Sequence, residues 1–167
     1  MPQNLELKAR ISSMSKAIRI ARNLRVNFRG TIWQRDIYFN IPHGRLKLRM
    51  NRSKSAELIY YSRPNKKGER YSDYCILPVL DANSMDAFCS KAFGRKVVVE
   101  KSRKLYLYKN ARIHIDNVRG LGYFIEFEVL VLKGKNQAES LMSTLIKHFG
   151  INYGEIISGS YEDLLQN

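Results

Sequence analysis

Apolar and polar residues alternate along Asn4-Leu5-Glu6-Leu7-Lys8-Ala9-Arg10-Ile11. That is the period of a strand with two unlike faces. Leu5, Leu7, Ala9 and Ile11 share one side; Asn4, Glu6, Lys8 and Arg10 share the other. The pattern then recurs. Strands are predicted at residues 31–39, 45–49, 57–63, 71–77, 97–108, 111–118 and 123–132, several of them rich in β-branched and aromatic residues. Turns fall at Pro42-His43-Gly44, in a surface loop over residues 64–68, at Lys109-Asn110, and between Gly120 and Gly122.

Helical spacing takes over in four places. Ser12 or Ser13 caps a helix carrying Met14, Ala17, Ile18, Ala21 and Leu24. Asp81 caps a second, with Met85, Phe88, Cys89 and Ala92 on one face and Gly94 at its end. Ala138, Leu141, Met142, Leu145 and Ile146 form the stripe of a third, closed by Gly150, and Tyr161, Leu164 and Leu165 mark a short tail helix. The class is α+β with a dominant antiparallel sheet.

The polar faces are ionised. Arg45, Lys47 and Arg49 stand behind Leu46, Leu48 and Met50; Lys101 and Arg103 share a side. Arg112, His114 and Asp116 alternate with Ile113 and Ile115, and Glu126 and Glu128 with Ile125, Phe127 and Val129. A flat sheet with its charged face in water is the plain reading. Closing the sheet into a barrel also accommodates both faces, with helices on an apolar outside and the charges in a wet lumen. Enclosed charges are costly unless paired or bound to counter-ions. A lumen with both signs suits a metal cation together with a multiply charged anion.

The chain has 167 residues and a formal net charge of +14. Its length suits one domain over residues 1–167. The charge attracts polyanions without choosing among them. The opening residues do not read as a basic, apolar, small-residue leader, so none is expected, and there is no apolar run of membrane-spanning length. Cys75 and Cys89 match no metal-ligand spacing and read as reduced core thiols, so a cytoplasmic protein with no membrane partner is expected.

Asn4-Leu5-Glu6-Leu7-Lys8 resembles the ExExK strand of the CYTH superfamily, the triphosphate tunnel metalloenzymes. In that family's order follow Gln34 to Phe39, Gly44-Arg45-Leu46-Lys47-Leu48-Arg49, Tyr60-Tyr61-Ser62-Arg63-Pro64, Lys101-Ser102-Arg103, Arg112-Ile113-His114-Ile115-Asp116 and Glu126-Phe127-Glu128. The ending, Gly159 to Leu165, is similar to the branch described as class IV adenylyl cyclase-like. The likeness runs over essentially the whole chain.

The resemblance implies an eight-stranded antiparallel β-barrel, a tunnel with helices packed outside, binding a triphosphate and Mg²⁺ or Mn²⁺. It implies hydrolysis of inorganic or organic triphosphates, with cyclisation of ATP to cyclic AMP and pyrophosphate as the alternative. Tripolyphosphate, thiamine triphosphate and ATP are the candidate partners. Glu6, Asp116, Glu126 and Glu128 become metal ligands, as hard oxygens suit these ions, with Asp116 alternatively orienting a neighbouring lysine. Lys8, Arg45, Lys47, Arg49, Arg63, Lys101, Arg103 and Arg112 become the phosphate grip, arginine by its fork and lysine as a point charge. Lys8, Tyr38 and Arg63 are the catalytic candidates. Tyr38 matches a tyrosine that some members pair with a lysine; Arg63 stands at the partner position and holds its proton.

Asn4 departs from the pattern, where the family has a glutamate, and removes one negative charge. That loss, with the excess of bases, motivates a non-catalytic binder of polyphosphate or nucleotide as a further reading. His43 reads as a turn residue and His114 as a lumen candidate. Nucleic acid is the least favoured partner, because the bases are spread over helices and loops as well as strand faces. Monomer and homodimer remain open.

Overall fold

A computed structural model describes residues 3–53, 55–63, 65–132 and 134–166. Eight antiparallel strands close into a barrel in the order β1-β5-β4-β3-β2-β6-β7-β8. They are β1 (Gln3–Arg10), β2 (Asn27–Phe39), β3 (Arg45–Asn51), β4 (Ala56–Ser62), β5 (Arg70–Val79), β6 (Arg95–Tyr108), β7 (Ala111–Val118) and β8 (Gly122–Leu130). The first strand closes the ring by pairing with β5 on one side and β8 on the other.

Strand β2 begins four residues earlier than its alternation predicts. Gly30, at φ +127°, sits in a register shift between Phe28 and Gly30 that breaks the two-residue period. Beyond it the long β6 still offers a partner, and Phe28 stacks on Tyr106 with ring centroids 4.9 Å apart.

The apolar faces point outward under helices, as the alternation requires. Helices α1 (Met14–Asn23) and α3 (Lys135–Phe149) lie over β1, β7 and β8. Leu5, Leu7, Ile113, Ile125, Phe127, Met142 and Leu145 form the buried core between them. Each such side chain contributes about 1.5–3 kcal/mol on burial. The Ser13 hydroxyl caps α1 by accepting from the Lys16 amide at 3.1 Å. Helix α2 (Ala82–Phe93), capped by Asp81, packs Cys89 against Ile37 and Leu48 of β2 and β3.

Three expectations need correcting. Phe88 was placed on the apolar face of α2, yet it is 66% exposed. Cys75 is an exposed free thiol on the outer face of β5, so only Cys89 is a core cysteine. The helical cover is also uneven, because Leu77 on that outer face stays 57% exposed. The loop expected at residues 64–68 is described from Asn65 onward, and Pro64 lies outside the described residues. Among the described residues no helix is long and apolar enough to cross a membrane.

The tail helix α4 (Tyr161–Leu165) turns inward across one mouth of the barrel instead of lying on its outside. The chain leading to it is stitched to the rim. The Ile157 amide donates to the Lys8 carbonyl at 2.9 Å, and Ala9 bridges to Ile156. Arg70, fully buried, donates to the carbonyls of Ile157 (3.1 Å) and Ser158. Ser160 caps α4 in a reciprocal box with Asp163. The result is a cup with one closed end.

Candidate active site

Alternation along each strand delivers the polar faces to a single cavity. It is lined by Lys8, Lys47, Arg49, Arg63, Lys101, Arg103 and Arg112 and by the carboxylates Glu6, Asp36, Glu126 and Glu128. Bases outnumber acids seven to four there, so the lumen favours an anion.

The basic half is organised by a carboxylate that the sequence reading did not single out. Asp36, fully buried on β2, accepts from Arg49 Nε and Nη2 at 2.8 Å each, from Lys101 Nζ at 2.8 Å and from Lys47 Nζ at 3.2 Å. Burial works to raise its pKa, but Arg49, Lys101 and Lys47 together hold it well below the usual carboxylate range. The lysines respond in the opposite sense. Burial pulls Lys101 down to about 7 and Lys47 to about 8, with Asp36 opposing the shift and the neighbouring arginines adding to it. The available signal was local: Asp36 shares one face of β2 with Gln34 and Tyr38, and all three are buried.

The acidic half lies on β1, β7 and β8. Glu126 faces both Lys8 and His114 across the ladder, and Glu128 faces Glu6 and Arg112. Lys8 Nζ is 3.4 Å from Glu126 Oε1 and Arg103 Nη2 donates to Glu126 Oε2 at 2.8 Å. Burial would raise Glu126, but Lys8, His114 and Arg103 keep it well below the ordinary range. Glu6 accepts from Arg63 Nη1 at 3.2 Å, yet burial pushes its pKa up, with Glu128 and Glu126 adding to the shift. Arg112 Nε lies 3.3 Å from Glu128 Oε2 with its side chain 37% exposed.

Asp116 sits apart from that acidic group. Its oxygens take Arg103 Nε at 2.8 Å, Arg103 Nη2 at 2.7 Å and the Tyr161 hydroxyl at 2.7 Å. It orients an arginine, where a lysine was the expected neighbour. Tyr161, missed as a site residue because it read as part of an apolar tail stripe, floors the cup. Lys8 Nζ lies 3.6 Å above its ring, and Phe124 meets it edge-on at 5.0 Å.

Two expected placements change. Arg45 lies outside the seven-base cavity, at the rim, where it pairs with Glu162 (3.3 Å) and Asp163 (2.9 Å) and donates to Asn65 (2.7 Å). Tyr38 faces Lys47 across β2 and β3, 5.5 Å from its Nζ to the ring centroid, and lies beside Tyr61, while Arg63 stands over Tyr61. Burial, reinforced by Tyr61, drives the Tyr38 hydroxyl well above its ordinary pKa, so it stays protonated.

One wall is not ionised. Strands β4 and β5 turn Ile59, Tyr61, Tyr74 and Ile76 into the cavity, which corrects the expectation that every strand shows a charged inner face. Ile76 is 44% exposed, at the open end.

The acidic half fits a divalent cation. Atoms of His114, Glu126 and Glu128 able to ligate an ion lie within 4.8 Å of one another. The buried Asn4 Oδ1, on the lumen face of β1, has no hydrogen-bond partner. An orphaned oxygen beside crowded carboxylates is what a hard cation would complete.

A closed eight-stranded tunnel with acids and bases enclosed together defines a class of charged β-tunnel proteins. The CYTH domain model matches residues 2–151, and the chain belongs to that family. It is 25% identical over 169 residues to the Methanocaldococcus jannaschii protein named "Putative adenylate cyclase MJ0240", spanning 96% of this chain and 97% of that one. PH1012 from Pyrococcus horikoshii OT3 shares the fold at a TM-score of 0.86 and 21% identity, over 96% of this chain and 98% of that one. So does HpAC1 from Hippeastrum, described as a "putative adenylyl cyclase" with a dominant triphosphatase activity, at a TM-score of 0.68 and 15% identity over 94% and 91% of the two chains.

Proposed function

We propose that the chain is a divalent-metal-dependent enzyme that hydrolyses the terminal phosphate of a triphosphate inside its tunnel. The observation that carries this reading is the enclosure, in one cup, of a seven-base cradle beside the carboxylates Glu6, Glu126 and Glu128. Lys8, Lys47, Arg49, Arg63, Lys101, Arg103 and Arg112 bind the phosphate oxygens, and Asp36 and Asp116 hold the cradle's side chains in place. Glu6, Glu126 and Glu128, with Asn4 in support, hold Mg²⁺ or Mn²⁺, which supplies further neutralisation of the phosphate chain. Water attacks the terminal phosphorus as the bridging P–O bond breaks, its protons leave on the released orthophosphate, and the leaving diphosphate keeps its charge matched by the surrounding cations. Catalysis of this kind rests on positioning and preorganised charge. Tyr38, protonated and beside Lys47, serves as a hydrogen-bond donor to a phosphate oxygen, not as a base. The triphosphatase activity described for HpAC1 supports the reading.

The wall of Ile59, Tyr61, Tyr74 and Ile76 favours a substrate with an organic body, such as ATP or thiamine triphosphate, over tripolyphosphate. That wall also keeps cyclisation of ATP as the second reading, and the name of the M. jannaschii relative supports it.

The test is a panel of tripolyphosphate, thiamine triphosphate, ATP and GTP, assayed for phosphate and for cyclic nucleotide with and without Mg²⁺ or Mn²⁺. Phosphate release that needs the metal and falls at least about a hundredfold in Glu128→Gln and Glu126→Gln is expected. Metal-independent turnover, or full activity in both variants, overturns the metal role. Tight triphosphate binding without turnover of any substrate identifies a non-catalytic binder instead.

A further inference from the structure

His114 has no role in the reading above, yet it is the imidazole of the acidic half. Its side chain is 6% exposed, and its Nδ1 is buried without a hydrogen-bond partner. That nitrogen lies 3.6 Å from Glu126 Oε2 and 3.7 Å from Glu128 Oε1, beyond hydrogen-bond length from both. A ring nitrogen held just outside contact with two carboxylates from a neighbouring strand sets one nitrogen and two oxygen donors within 4.8 Å of one another. A buried polar atom left unsatisfied is destabilising, and a ligand shared by the three groups removes that cost.

We infer that His114 Nδ1 is itself a metal ligand, so that the cation in this tunnel is held by a mixed imidazole–carboxylate set that selects Mn²⁺ over Mg²⁺. The inference rests on the metal-dependent reading and deepens it. Mg²⁺ demands an octahedron of oxygens and keeps its waters, whereas imidazole nitrogen suits the first-row transition ions. Asn4 works in the same direction. Its amide oxygen adds no negative charge to the lumen face of β1, which does nothing for the purely ionic mode that Mg²⁺ depends on most. A nitrogen donor on β7 compensates only for a metal that accepts nitrogen.

The register explains why these groups meet. His114 and Glu126 are directly paired between β7 and β8, and Glu128 is two residues along β8 on the same face. Arg112, two residues from His114 on β7, leans on Glu128 Oε2 at 3.3 Å, away from the Oε1 that faces the imidazole, while Arg103 Nη2 donates to Glu126 Oε2 at 2.8 Å.

Electron spin-echo measurements on Mn²⁺-loaded protein test this directly, with MnCl₂ alone and with a non-hydrolysable imido analogue of tripolyphosphate. Nitrogen-14 modulation from a directly bound imidazole is expected, replaced by the nitrogen-15 pattern when histidine alone is isotopically labelled. It should vanish in His114→Gln, which keeps His43 and His148. Calorimetric titration should show Mn²⁺ binding at least about tenfold tighter than Mg²⁺ in the parent and a preference near unity in His114→Gln. Bound Mn²⁺ without nitrogen coupling, and an unchanged metal preference in the variant, overturns the histidine ligand while leaving the metal-dependent reading standing. No bound Mn²⁺ under either condition overturns both. The spectrum of the parent protein decides the matter even if the variant folds poorly.

Discussion

Asp36 and Arg49 face one another across β2 and β3, and the guanidinium grips the carboxylate through two hydrogen bonds of 2.8 Å. Lys47 and Lys101 lean on the same carboxylate. Four buried charges are thus balanced only in part, one negative against three positive. The unmatched charge is the part a phosphate chain supplies.

Removing the carboxylate leaves three buried cations facing each other. Asp36→Asn should lower the stability of the ligand-free protein by about 3–5 kcal/mol, the usual cost of breaking a buried ion pair from one side. Urea unfolding followed by circular dichroism measures it. Because the variant has a larger uncompensated charge, tripolyphosphate should raise its melting temperature more than that of the parent. A loss below about 1 kcal/mol would mean that Asp36 does not organise the cradle.

The pH dependence follows from Lys101 and Lys47, lowered to about 7 and about 8 chiefly by burial. Between those values and the ordinary lysine range the unfolded chain binds more protons than the folded one. Stability of the ligand-free protein therefore rises with pH from about 7 upward, and the cost of burying the charged amines is fully present below that. Binding needs the charged amines, so triphosphate affinity should fall over the same interval and binding near pH 8 should take up protons. Calorimetry in buffers of different ionisation enthalpy reads the uptake. Glu6, raised to about 7 by burial, acts in the opposite sense: between its ordinary value and about 7 the folded chain binds more protons than the unfolded one, so its share of the stability falls as pH rises; Lys101→Met should remove the lysine share and flatten the slope of stability against pH above about 7.

Arg45 and Lys47 are two residues apart on one strand and share a face, but only Lys47 reaches the cradle. Lys47→Gln should weaken tripolyphosphate binding by about tenfold or more. Arg45→Gln should change it by less than about threefold, since its ion pairs are to the tail. Titration calorimetry separates the two. Equal losses would put Arg45 back among the phosphate ligands.

The closed mouth depends on Arg70, whose Nη1 bonds the carbonyls of Ile157 and Ser158. Arg70→Met should cost about 2 kcal/mol for the lost charged hydrogen bonds. It should also expose Tyr161, buried in the parent, to chymotrypsin well before the barrel unfolds. Cleavage no faster than in the parent would show that the tail is held by Tyr161 and Ser160 instead.

The eight strands, the four helices and the caps Ser13, Asp81, Gly94 and Gly150 were legible in the chain, because each is a local pattern: a period of two, a period near four, a serine or aspartate before a helix, a glycine after it. The same alternation told which charged residues share a strand face. Its limits were local too, since Gly30 hid the start of β2 and the apolar inner wall of β4 and β5 broke the rule that inner faces are charged. What the chain alone left open was which charge meets which. Asp36 as the hub of three cations, Tyr161 as the floor, Arg45 drawn to the rim, and His114 between two glutamates all follow from the register of strands far apart in sequence and from closure of the barrel. Those relations depend on how the ring of hydrogen bonds is staggered, and no short stretch of sequence carries that information.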